Sequence, residues 1–481
     1  MEQELKQIVC EDNEIKVVPI TIALILAGFF CMLNETVLNM ALKNLMGQFN
    51  ISATTVQWLS TGYMLIMGVS IPISAFLTQT FTTRQLFLAS VIIFLVGTII
   101  CSVSPAFSIL LIGRLIQAIG TGVLIPNIIN TLLIINPVEK RGKALGIFNL
   151  VMFCAPAIGP TLSGLVLQSL SWRWLFLGII PFSIIALIIG YTYLRNVTKL
   201  TNPHLDILSI LLSTVGFGGF IYGVSNIGNS AATMALPIIL GCIALFTFTL
   251  RQIHMKDPML DMHPFKYPMF TIGTILIIIM HMVNFATMLI LPMFLEGALG
   301  LTAFTAGLIM LPGGFINGIV SPISGHLYDK FGAKVLIIPG FIISAVVFCA
   351  FSFTISLKIT IPLIIALHCL SLFAVGIINT PTQTNSLNQL SLQSAPHGTA
   401  IMNTLQQIAG AFGTSLFVAI MSSNQKSYLM SVANPNDSHS QALSLVFGVH
   451  NVFIIQVFLL LVAVILSLFI KRNNFTATEN Y

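Results

Sequence analysis

Two charged residues, Glu35 and Arg114, lie within long apolar stretches of the sequence. Glu35 is the one acidic residue of 14 that falls well inside such a stretch, and Arg114 is the one basic residue of 20. A carboxyl group in nonpolar surroundings binds or releases a proton when those surroundings change. A guanidinium group keeps its proton and acts on its neighbours through its charge. The pair therefore predicts a proton-exchange site in which Glu35 carries the proton and Arg114 tunes it.

Two simpler explanations fit the same residues. One is a static ion pair that fixes two helices, and the other is a Glu35 side chain that extends toward the outer membrane surface. At 1.5 Å per residue, Glu35 lies roughly 25 Å along its helix and Arg114 roughly 12 Å along its own. In a hydrocarbon core about 30 Å thick, helices of opposite direction then place both residues in the outer half. We expect them to share one cavity there.

The elements that hold these residues must be membrane helices. The composition has too few charged residues to cover a water-facing surface, so lipid must surround most of it. Of 481 residues, 56% are hydrophobic and 7% are charged, with mean hydropathy +0.98. A soluble domain carries roughly 25% charged residues. The composition therefore excludes a water-soluble protein. The net charge of +6 comes from Lys and Arg residues spread singly or in small groups, so nucleic acid is not an expected partner.

Stretches of about 20 apolar residues predict membrane-spanning helices, because backbone hydrogen bonding allows little else in lipid. Fourteen such spans are predicted, near residues 17–40, 54–77, 86–104, 106–134, 144–169, 173–194, 206–226, 233–252, 269–296, 303–327, 334–354, 359–381, 398–422 and 450–470. An even number of spans places both termini on one side. Fifteen of the 20 Lys and Arg residues fall in segments on that side, which the positive-inside rule identifies as the cytoplasm. The sequence therefore predicts a multi-pass protein of the plasma membrane.

The chain contains an internal repeat with an insertion. The segment 325–334 after span 10 resembles the segment 75–84 after span 2, and each follows a Pro-Ile-Ser element. The offset of 250 residues exceeds what six spans require, and spans 7 and 8 account for the surplus. Transporters are commonly built from two such repeats with the substrate site between them. The predicted organisation is a cytoplasmic N-terminal tail at 1–16, a six-helix bundle at 17–200, an inserted two-helix hairpin at 201–260, a second six-helix bundle at 261–471 and a cytoplasmic C-terminal tail at 472–481.

Several motifs resemble those of the major facilitator superfamily. The loop Gly325-His-Leu-Tyr-Asp329-Lys330-Phe331-Gly332-Ala-Lys334 resembles its signature loop, and further resemblances lie at 33–39 in span 1, 114–122 in span 4, 155–164 in span 5 and 172–174 after it. Six spans, two extra spans and six more resemble its fourteen-span drug:proton antiporter family. Within that family, Asn34-Glu35-Thr36 and the segment 81–87 resemble lincomycin-type multidrug exporters. The resemblance implies an all-α membrane protein with the major facilitator fold, which exports drugs in exchange for protons.

Some positions depart from the family pattern. The usual Asp of the first-helix motif is Asn34, and the carboxylate follows one position later at Glu35. The first-half loop has Gln79 and Thr82 where the family has Asp and Gly. We therefore expect the gating role of this loop to rest on the second half, at Asp329 with its neighbour Lys330. A plain solvated turn is the alternative for that pair.

Span 5 carries a set of helix-bending and small residues, namely Pro156, Gly159, Pro160 and Gly164. Proline removes a helix hydrogen bond and bends the axis, and glycine permits close backbone approach. Together with the family resemblance, this predicts a hinge or seal between the two bundles. A packing kink, common in membrane helices, is the alternative.

Polar side chains within the spans are candidates for lining the substrate pathway, namely Asn34, Asn39, Gln117, Asn127 and Asn284. Hydrogen bonding between helices is their alternative role. His281 and His368 also lie in predicted spans, and histidine is the side chain that titrates near physiological pH. For these two residues we expect a hydrogen bond at a helix interface, with proton relay as the alternative.

These features predict a secondary active multidrug exporter, and not an enzyme, that moves amphipathic, hydrophobic or cationic drugs by alternating access. The sequence has no GxxxxGK[ST] motif and no metal-ligand cluster, so inward proton flow is the expected driving force, with no cofactor and no metal. The expected partners are small-molecule drugs, protons and the lipid bilayer, with the chain acting as a monomer in a bacterial membrane. The nearest alternative is a proton-coupled exporter of one metabolite, siderophore or monovalent cation. A membrane enzyme and a channel are more distant ones.

Overall fold

The computed structural model describes residues 16–136, 138–196, 206–226, 231–255, 258, 262–390 and 395–470, and over these ranges the chain is helical without a β-strand. Its long helices are α1 Val17–Val37, α2 Trp58–Thr80, α3 Thr83–Val103, α4 Phe107–Ile135, α5 Val138–Ser169, α6 Ile180–Tyr193, α7 Ile207–Ser225, α8 Ala231–His254, α9 Pro268–Gly297, α10 Ala303–Phe331, α11 Lys334–Thr354, α12 Ile361–Leu387, α13 Ala395–Ser431 and α14 Ser438–Leu468. Short helices lie at Leu38–Ala41, Leu42–Phe49, Ala53–Val56, Trp174–Leu177 and His263–Lys266. The predicted tails at 1–16 and 472–481 lie outside the described residues, apart from Lys16.

Most of the long helices have the length and composition of membrane spans. In the described part of the chain, twelve segments are long and apolar enough to cross a bilayer: α1 with its extension to Phe49, α3, α4, α6 with the short helix before it, and α7 to α14. The long helices α2 and α5 pack among them. An α-helix satisfies its own backbone hydrogen bonds, which is why these apolar runs fold this way in lipid.

Several helix ends differ from the predicted spans. Helix α14 begins at Ser438 rather than near 450, and α13 runs to Ser431 rather than ending near 422. The added turns contain Ser, Asn, Gln and His, and a search for apolar runs does not detect such polar residues. Conversely, α1 ends at Val37 and the chain continues as a 3-10 helix, a change that hydropathy does not detect.

The two repeated loops adopt different conformations. In the second half, Gly332 has φ 81°, a left-handed conformation that residues with a side chain rarely adopt. In the first half, Thr82 stands at the corresponding position with φ −65°. Its hydroxyl and backbone exchange hydrogen bonds with Gln85 and cap the start of α3. A capping box therefore replaces the glycine turn in the first half.

The long helices form two bundles with the same packing scheme. In the first bundle, α4 packs on α2 and α3, and α1 packs on α5 and α6. In the second, α12 packs on α10 and α11, and α9 packs on α13 and α14. Helices α1 to α6 therefore correspond in order to α9 to α14. We call the side on which α1 begins the inner side and the opposite side the outer side.

The bundles meet along two equivalent seams, α5 against α10 and α2 against α13. In the α2–α13 seam, the hydroxyl oxygens of Thr61 and Thr414 are 2.8 Å apart. One turn further out, Gln57 Nε2 donates a hydrogen bond to Ser415 Oγ at 3.3 Å. These contacts hold the two halves together toward the outer side.

Helices α7 and α8 form a hairpin beside the α2–α13 seam, because α7 packs on both α13 and α2. Asp206 precedes α7 and accepts a hydrogen bond from the backbone of Ser209 at 3.3 Å. Arg251 of α8 donates two hydrogen bonds of 3.0 Å to the Asp206 carboxylate, which holds its pKa at about 2, below the ordinary value. This ion pair ties the inner ends of the hairpin together.

Replacing Asp206 with Asn should lower the stability of the detergent-solubilised protein by up to about 1 kcal/mol, the range of a partly exposed ion pair. Because the pKa of Asp206 is depressed, its contribution is present above the ordinary carboxyl pKa and is lost as the pH falls toward about 2. Apparent melting temperatures of the two proteins should therefore differ at neutral pH and converge in acid. Asp437→Asn, which changes a carboxylate without a capping hydrogen bond before α14, should have no effect. Equal melting temperatures at neutral pH would contradict this role of Asp206.

Candidate functional site

Glu35 is buried in the last turn of α1, just before the chain changes to the 3-10 helix Leu38–Ala41. Its side chain is 6% exposed, so it does not extend to the protein surface. Its Oε1 atom has no hydrogen-bond partner in the described part of the structure. An unpaired oxygen on a buried carboxyl group is costly, and such a group in a membrane protein is by default a candidate functional site.

Arg114 in α4 is fully buried and is held by neutral groups from three helices. Its guanidinium donates to the backbone carbonyl of Asn34 at 3.1 Å and also to the Asn34 side-chain oxygen. It donates to Gln117 Oε1 at 3.1 Å and to the Leu59 carbonyl at 3.3 Å. The ring of Tyr63 lies 4.3 Å from the guanidinium carbon, a cation–π distance. Arg114 therefore links α4 to α1 and α2.

Glu35 and Arg114 are linked through Asn34. The guanidinium donates hydrogen bonds to Asn34, the residue before Glu35, and the two charged side chains form no ion pair among the described contacts. The structure therefore brings both residues into one cluster, but not as the static ion pair considered from the sequence.

The cluster extends further through residues that the sequence did not single out. Gln117 Nε2 donates to Thr98 Oγ1 of α3 at 2.8 Å, and the hydroxyls of Tyr63 and Thr121 are 2.7 Å apart. Tyr63 could have been selected from the sequence as a candidate, since it is one of eight tyrosines and lies within a span. Thr98 and Thr121 could not, because threonine is a common hydrogen-bonding residue in membrane helices.

The other predicted pathway residues lie apart from this cluster. Asn39 accepts a hydrogen bond from Ser60 at 3.2 Å. Asn127 is buried with its Nδ2 atom unpaired among the described residues. Asn284 lies in the second bundle, beside a small cavity. Of the five candidates, the structure places Asn34 and Gln117 against Arg114 and leaves Asn39, Asn127 and Asn284 elsewhere.

The backbones of α5 and α10 are in direct contact where span 5 carries its small residues. A Cβ atom on Gly164 would lie 2.5 Å from the Ala303 carbonyl oxygen, and one on Gly307 would lie 2.6 Å from the Pro160 carbonyl oxygen. Thr161 Oγ1 donates a hydrogen bond to the Gly307 carbonyl at 3.0 Å. A side chain at either glycine would require the helices to separate. Pro160 and Gly164 thus lie in the seam between the bundles.

The neighbouring turn of α5 faces α1 instead. A Cβ atom on Gly159 would overlap the hydroxyl of Thr36, the residue after Glu35. Helix α5 is therefore in contact with the Glu35 turn and, within two turns, with the opposite bundle. Pro156 lies inside α5, and its side chain is outside the described part of the structure.

The predicted gating pair at the end of α10 is only partly described. The Asp329 side chain lies outside the described residues. Lys330 is exposed, and its Nζ atom is 5.3 Å from the centre of the Phe331 ring. The gating role of this loop stays a prediction.

A further contact between the halves joins the outer ends of the bundles. Lys43 Nζ donates to the backbone carbonyl of Glu296 at 2.6 Å, and the Glu296 side chain is itself 5% exposed. The sequence contains no information on this pairing, because the two residues are 253 positions apart in the chain.

A large apolar cavity lies away from Glu35, between the hairpin and the second bundle. Its volume is about 640 Å³, and Phe217 of α7, Phe248 of α8 and Leu405 of α13 are among its lining residues. This is within the size range of cavities that hold drug-sized molecules. In the residues that the structure describes, no group of three or more potential metal ligands comes together.

Comparison with known proteins gives consistent matches. The model of the Major Facilitator Superfamily matches residues 24–414. The lincomycin resistance protein LmrB of Bacillus subtilis (strain 168) is 48% identical over 465 residues, which cover 96% of this chain and 97% of LmrB. The multidrug export protein EmrB of Escherichia coli (strain K12) is 27% identical over 436 residues, 89% of this chain and 85% of EmrB. A bacterial homolog of the human lysosomal transporter Spinster, in an inward-facing and unoccupied conformation, matches with TM-score 0.69 and 14% identity, over 93% of this chain and 95% of that chain.

The family match includes both Glu35 and Arg114 and extends across the two seams between the bundles. The structural likeness, at low sequence identity, independently supports the same fold. The chain is therefore a multi-pass membrane protein that belongs to the Major Facilitator Superfamily, and it is a transporter rather than an enzyme.

Proposed function

We propose that this protein is a multidrug exporter that expels lincomycin and other amphipathic, hydrophobic or cationic drugs in exchange for protons. The observation that carries the proton exchange is the buried Glu35, with an unpaired carboxylate oxygen beside the Arg114 cluster. The identity of 48% to a lincomycin resistance protein supports the substrate class. Proton flow down its gradient supplies the free energy, so the chain needs no bound cofactor.

Proton exchange at Glu35 follows from its distance to a fixed positive charge. Arg114 keeps its proton and is anchored to Asn34 and Leu59, so it is a permanent charge inside the bundle. A movement of α1 that changes the separation of the guanidinium and the carboxylate alters proton binding at Glu35. Glu35 then takes up a proton when it is open to the outer side and releases it when open to the inner side.

The same movement reaches the other bundle through α5. Gly159 lies against the turn that holds Glu35, and Gly164 lies against Ala303 of α10. Rocking of the bundles about the seams then opens a central pathway alternately to each side, with α5 as the outer seal. The contacts between the halves on the outer side, such as that between Lys43 and Glu296, support an inward-facing form.

In the membrane, we infer fourteen spans, with the inner side in the cytoplasm and the hairpin α7–α8 at the periphery of a monomer. The charge pattern supports this orientation, since Lys and Arg concentrate on the inner side. Helices α2 and α5 complete the fourteen because each packs within a bundle of helices of spanning length.

Glu35→Gln should abolish proton-driven transport while leaving drug binding intact, because the amide keeps the shape but cannot exchange a proton. Proteoliposomes with an imposed pH gradient, assayed with lincomycin and with a hydrophobic cationic dye, measure this directly. Asp437→Asn is the control, since it makes the same carboxylate-to-amide change before α14, outside the Arg114 cluster and the seams between the bundles. Wild-type proton-coupled transport in Glu35→Gln would refute the assignment. Mutual competition of lincomycin and the dye supports multidrug export, and transport of a single compound supports the narrow exporter.

Arg114→Lys should reduce the transport rate by about tenfold or more, equivalent to about 1.4 kcal/mol. Lysine keeps the charge but lacks the planar fork that reaches Asn34, Gln117 and Leu59 together. The measurement is the initial rate of lincomycin efflux at equal protein content. Arg173→Lys, in the short segment between α5 and α6, should transport at nearly the wild-type rate. A folded Arg114→Lys protein with the wild-type rate would contradict this role.

Gly164→Ala should slow transport by several-fold, because its methyl group would force α5 away from the Ala303 carbonyl. Gly218→Ala in the hairpin is the matched control, since the nearest atom there is 3.7 Å from the new methyl group and lies at the end of the Leu65 side chain. Efflux rates of both variants, with their melting temperatures, provide the test. An unaffected rate in Gly164→Ala would show that tight closure of this seam is dispensable.

A further inference from the structure

The second bundle places a titratable residue where the first bundle has Arg114. His368 is the eighth residue of α12, which begins at Ile361, and Arg114 is the eighth residue of α4, which begins at Phe107. Ser371 and Gln117 follow three residues later in their helices. Because α12 corresponds to α4 in the packing scheme, His368 and Arg114 occupy equivalent positions.

A small cavity with both polar and apolar lining lies beside this histidine. Asn284, Ser344, His368 and Ser371 are the polar residues that, with Thr287, line about 20 Å³ inside the second bundle. Asn284 lies 250 residues after Asn34, which is the offset between the two repeated loops. A void of this size has room for one water molecule, and these side chains offer it hydrogen-bond partners. The cavity thus occupies the position in the second bundle that the Arg114 guanidinium occupies in the first.

The His368 ring has one nitrogen without a partner. The ring packs against α10, where a Cβ atom on Gly313 would lie 2.7 Å from its Cδ2 atom. Nδ1 is buried and has no hydrogen-bond partner among the described contacts. In a neutral ring that carries its proton on Nε2, Nδ1 is a bare acceptor, and here it lies inside a residue that is 2% exposed.

No charged side chain of the described residues acts on this ring. Helices α9, α10, α11 and α13 pack against α12. Their titratable side chains are His281, Glu296, His326, Tyr328, Lys330, Lys334, Cys349, Lys426 and Tyr428, with Cys369 on α12 itself, and those of Asp329 and His397 lie outside the described part. None of these described side chains is joined to the ring by a hydrogen bond or an ion pair, so a proton can reach Nδ1 only from water that enters the cavity.

We propose that His368, with Asn284 and Ser371, forms a second proton-binding site of the transporter, in the bundle opposite to Glu35. This rests on the proton exchange proposed above. A proton arrives on the cavity water, an N–H bond forms at Nδ1 as an O–H bond breaks, and the imidazolium returns the proton to water when the bundles rock. No electrons are exchanged. Unlike Arg114, an imidazole both accepts and releases a proton in the physiological pH range.

Proton release upon lincomycin binding tests this site. The purified full-length protein is mixed with lincomycin in weakly buffered detergent solution, and released protons are followed with a pH indicator dye. With two sites, Glu35→Gln and His368→Gln should each release about half as many protons as wild type, and the double variant should release none. His281→Gln is the matched control and should match wild type, because His281 Nδ1 lies 3.0 Å from the Ile277 carbonyl.

The outcomes separate the two proposals. If the wild type binds lincomycin and releases no protons, proton antiport fails, and this site fails with it. If Glu35→Gln alone removes all release, or His368→Gln releases as much as wild type, antiport stands and the second site is overturned. If His368→Gln does not fold, His368→Asn replaces it.

A measurement on the unmodified protein gives an independent readout. In protein labelled with ¹⁵N-histidine, the His368 Nδ1 signal should change from the unprotonated to the protonated form as the pH is lowered, and lincomycin should reverse the change. A ring that keeps one protonation state from about pH 5 to about pH 9, with and without lincomycin, would overturn the proposal.

Discussion

A permanent positive charge, with no counter-ion bonded to it among the described residues, organises the first bundle. Arg114 cannot lose its proton, so neutral groups must solvate it in place of water. Those groups are the carbonyls of Asn34 and Leu59, the side-chain oxygens of Asn34 and Gln117, and the ring of Tyr63. They come from three helices, so one side chain fixes the relative positions of α1, α2 and α4. Because Asn34 precedes Glu35, the hydrogen bonds that Asn34 accepts from Arg114 also fix the position of the carboxylate.

The carboxylate is in turn close to the part of the molecule that joins the two halves. Thr36 follows Glu35 and contacts Gly159, while Gly164 of the same helix contacts α10. Packed helices of this kind shift between discrete arrangements rather than deform continuously. In the proposed mechanism, a change of charge at Glu35 therefore acts on α5, which cannot move without affecting the seam between the bundles. These contacts connect the proposed proton site to the proposed rocking of the bundles.

The sequence predicted the parts of this arrangement that depend on hydropathy and depth. Counting along α1 and α4 predicted that Glu35 lies near Arg114, and the guanidinium is hydrogen-bonded to Asn34, the residue before Glu35. It did not predict that Arg114 bonds Asn34, because helix rotation decides which of two adjacent side chains faces a neighbour. Asn39 lies in the 3-10 helix beyond α1, and Asn127 lies 13 residues beyond Arg114 in α4, which is about 20 Å. Position along the helices therefore separates both from the cluster. The glycines of α5 indicated a close contact, but its partner at Ala303 depends on tertiary packing that apolar helices do not encode locally.

The inserted hairpin makes the two seams unequal. Helix α7 packs on α2 and α13, the helices of one seam, where Thr61 faces Thr414 through their hydroxyls. The α5–α10 seam instead depends on glycine contacts between backbones. Hydroxyl pairs tolerate small displacements by exchanging partners, whereas backbone contacts at glycine are lost as soon as the helices separate. The hairpin packs beside the hydroxyl seam, and in the rocking mechanism proposed above the α5–α10 glycine seam opens and closes away from it.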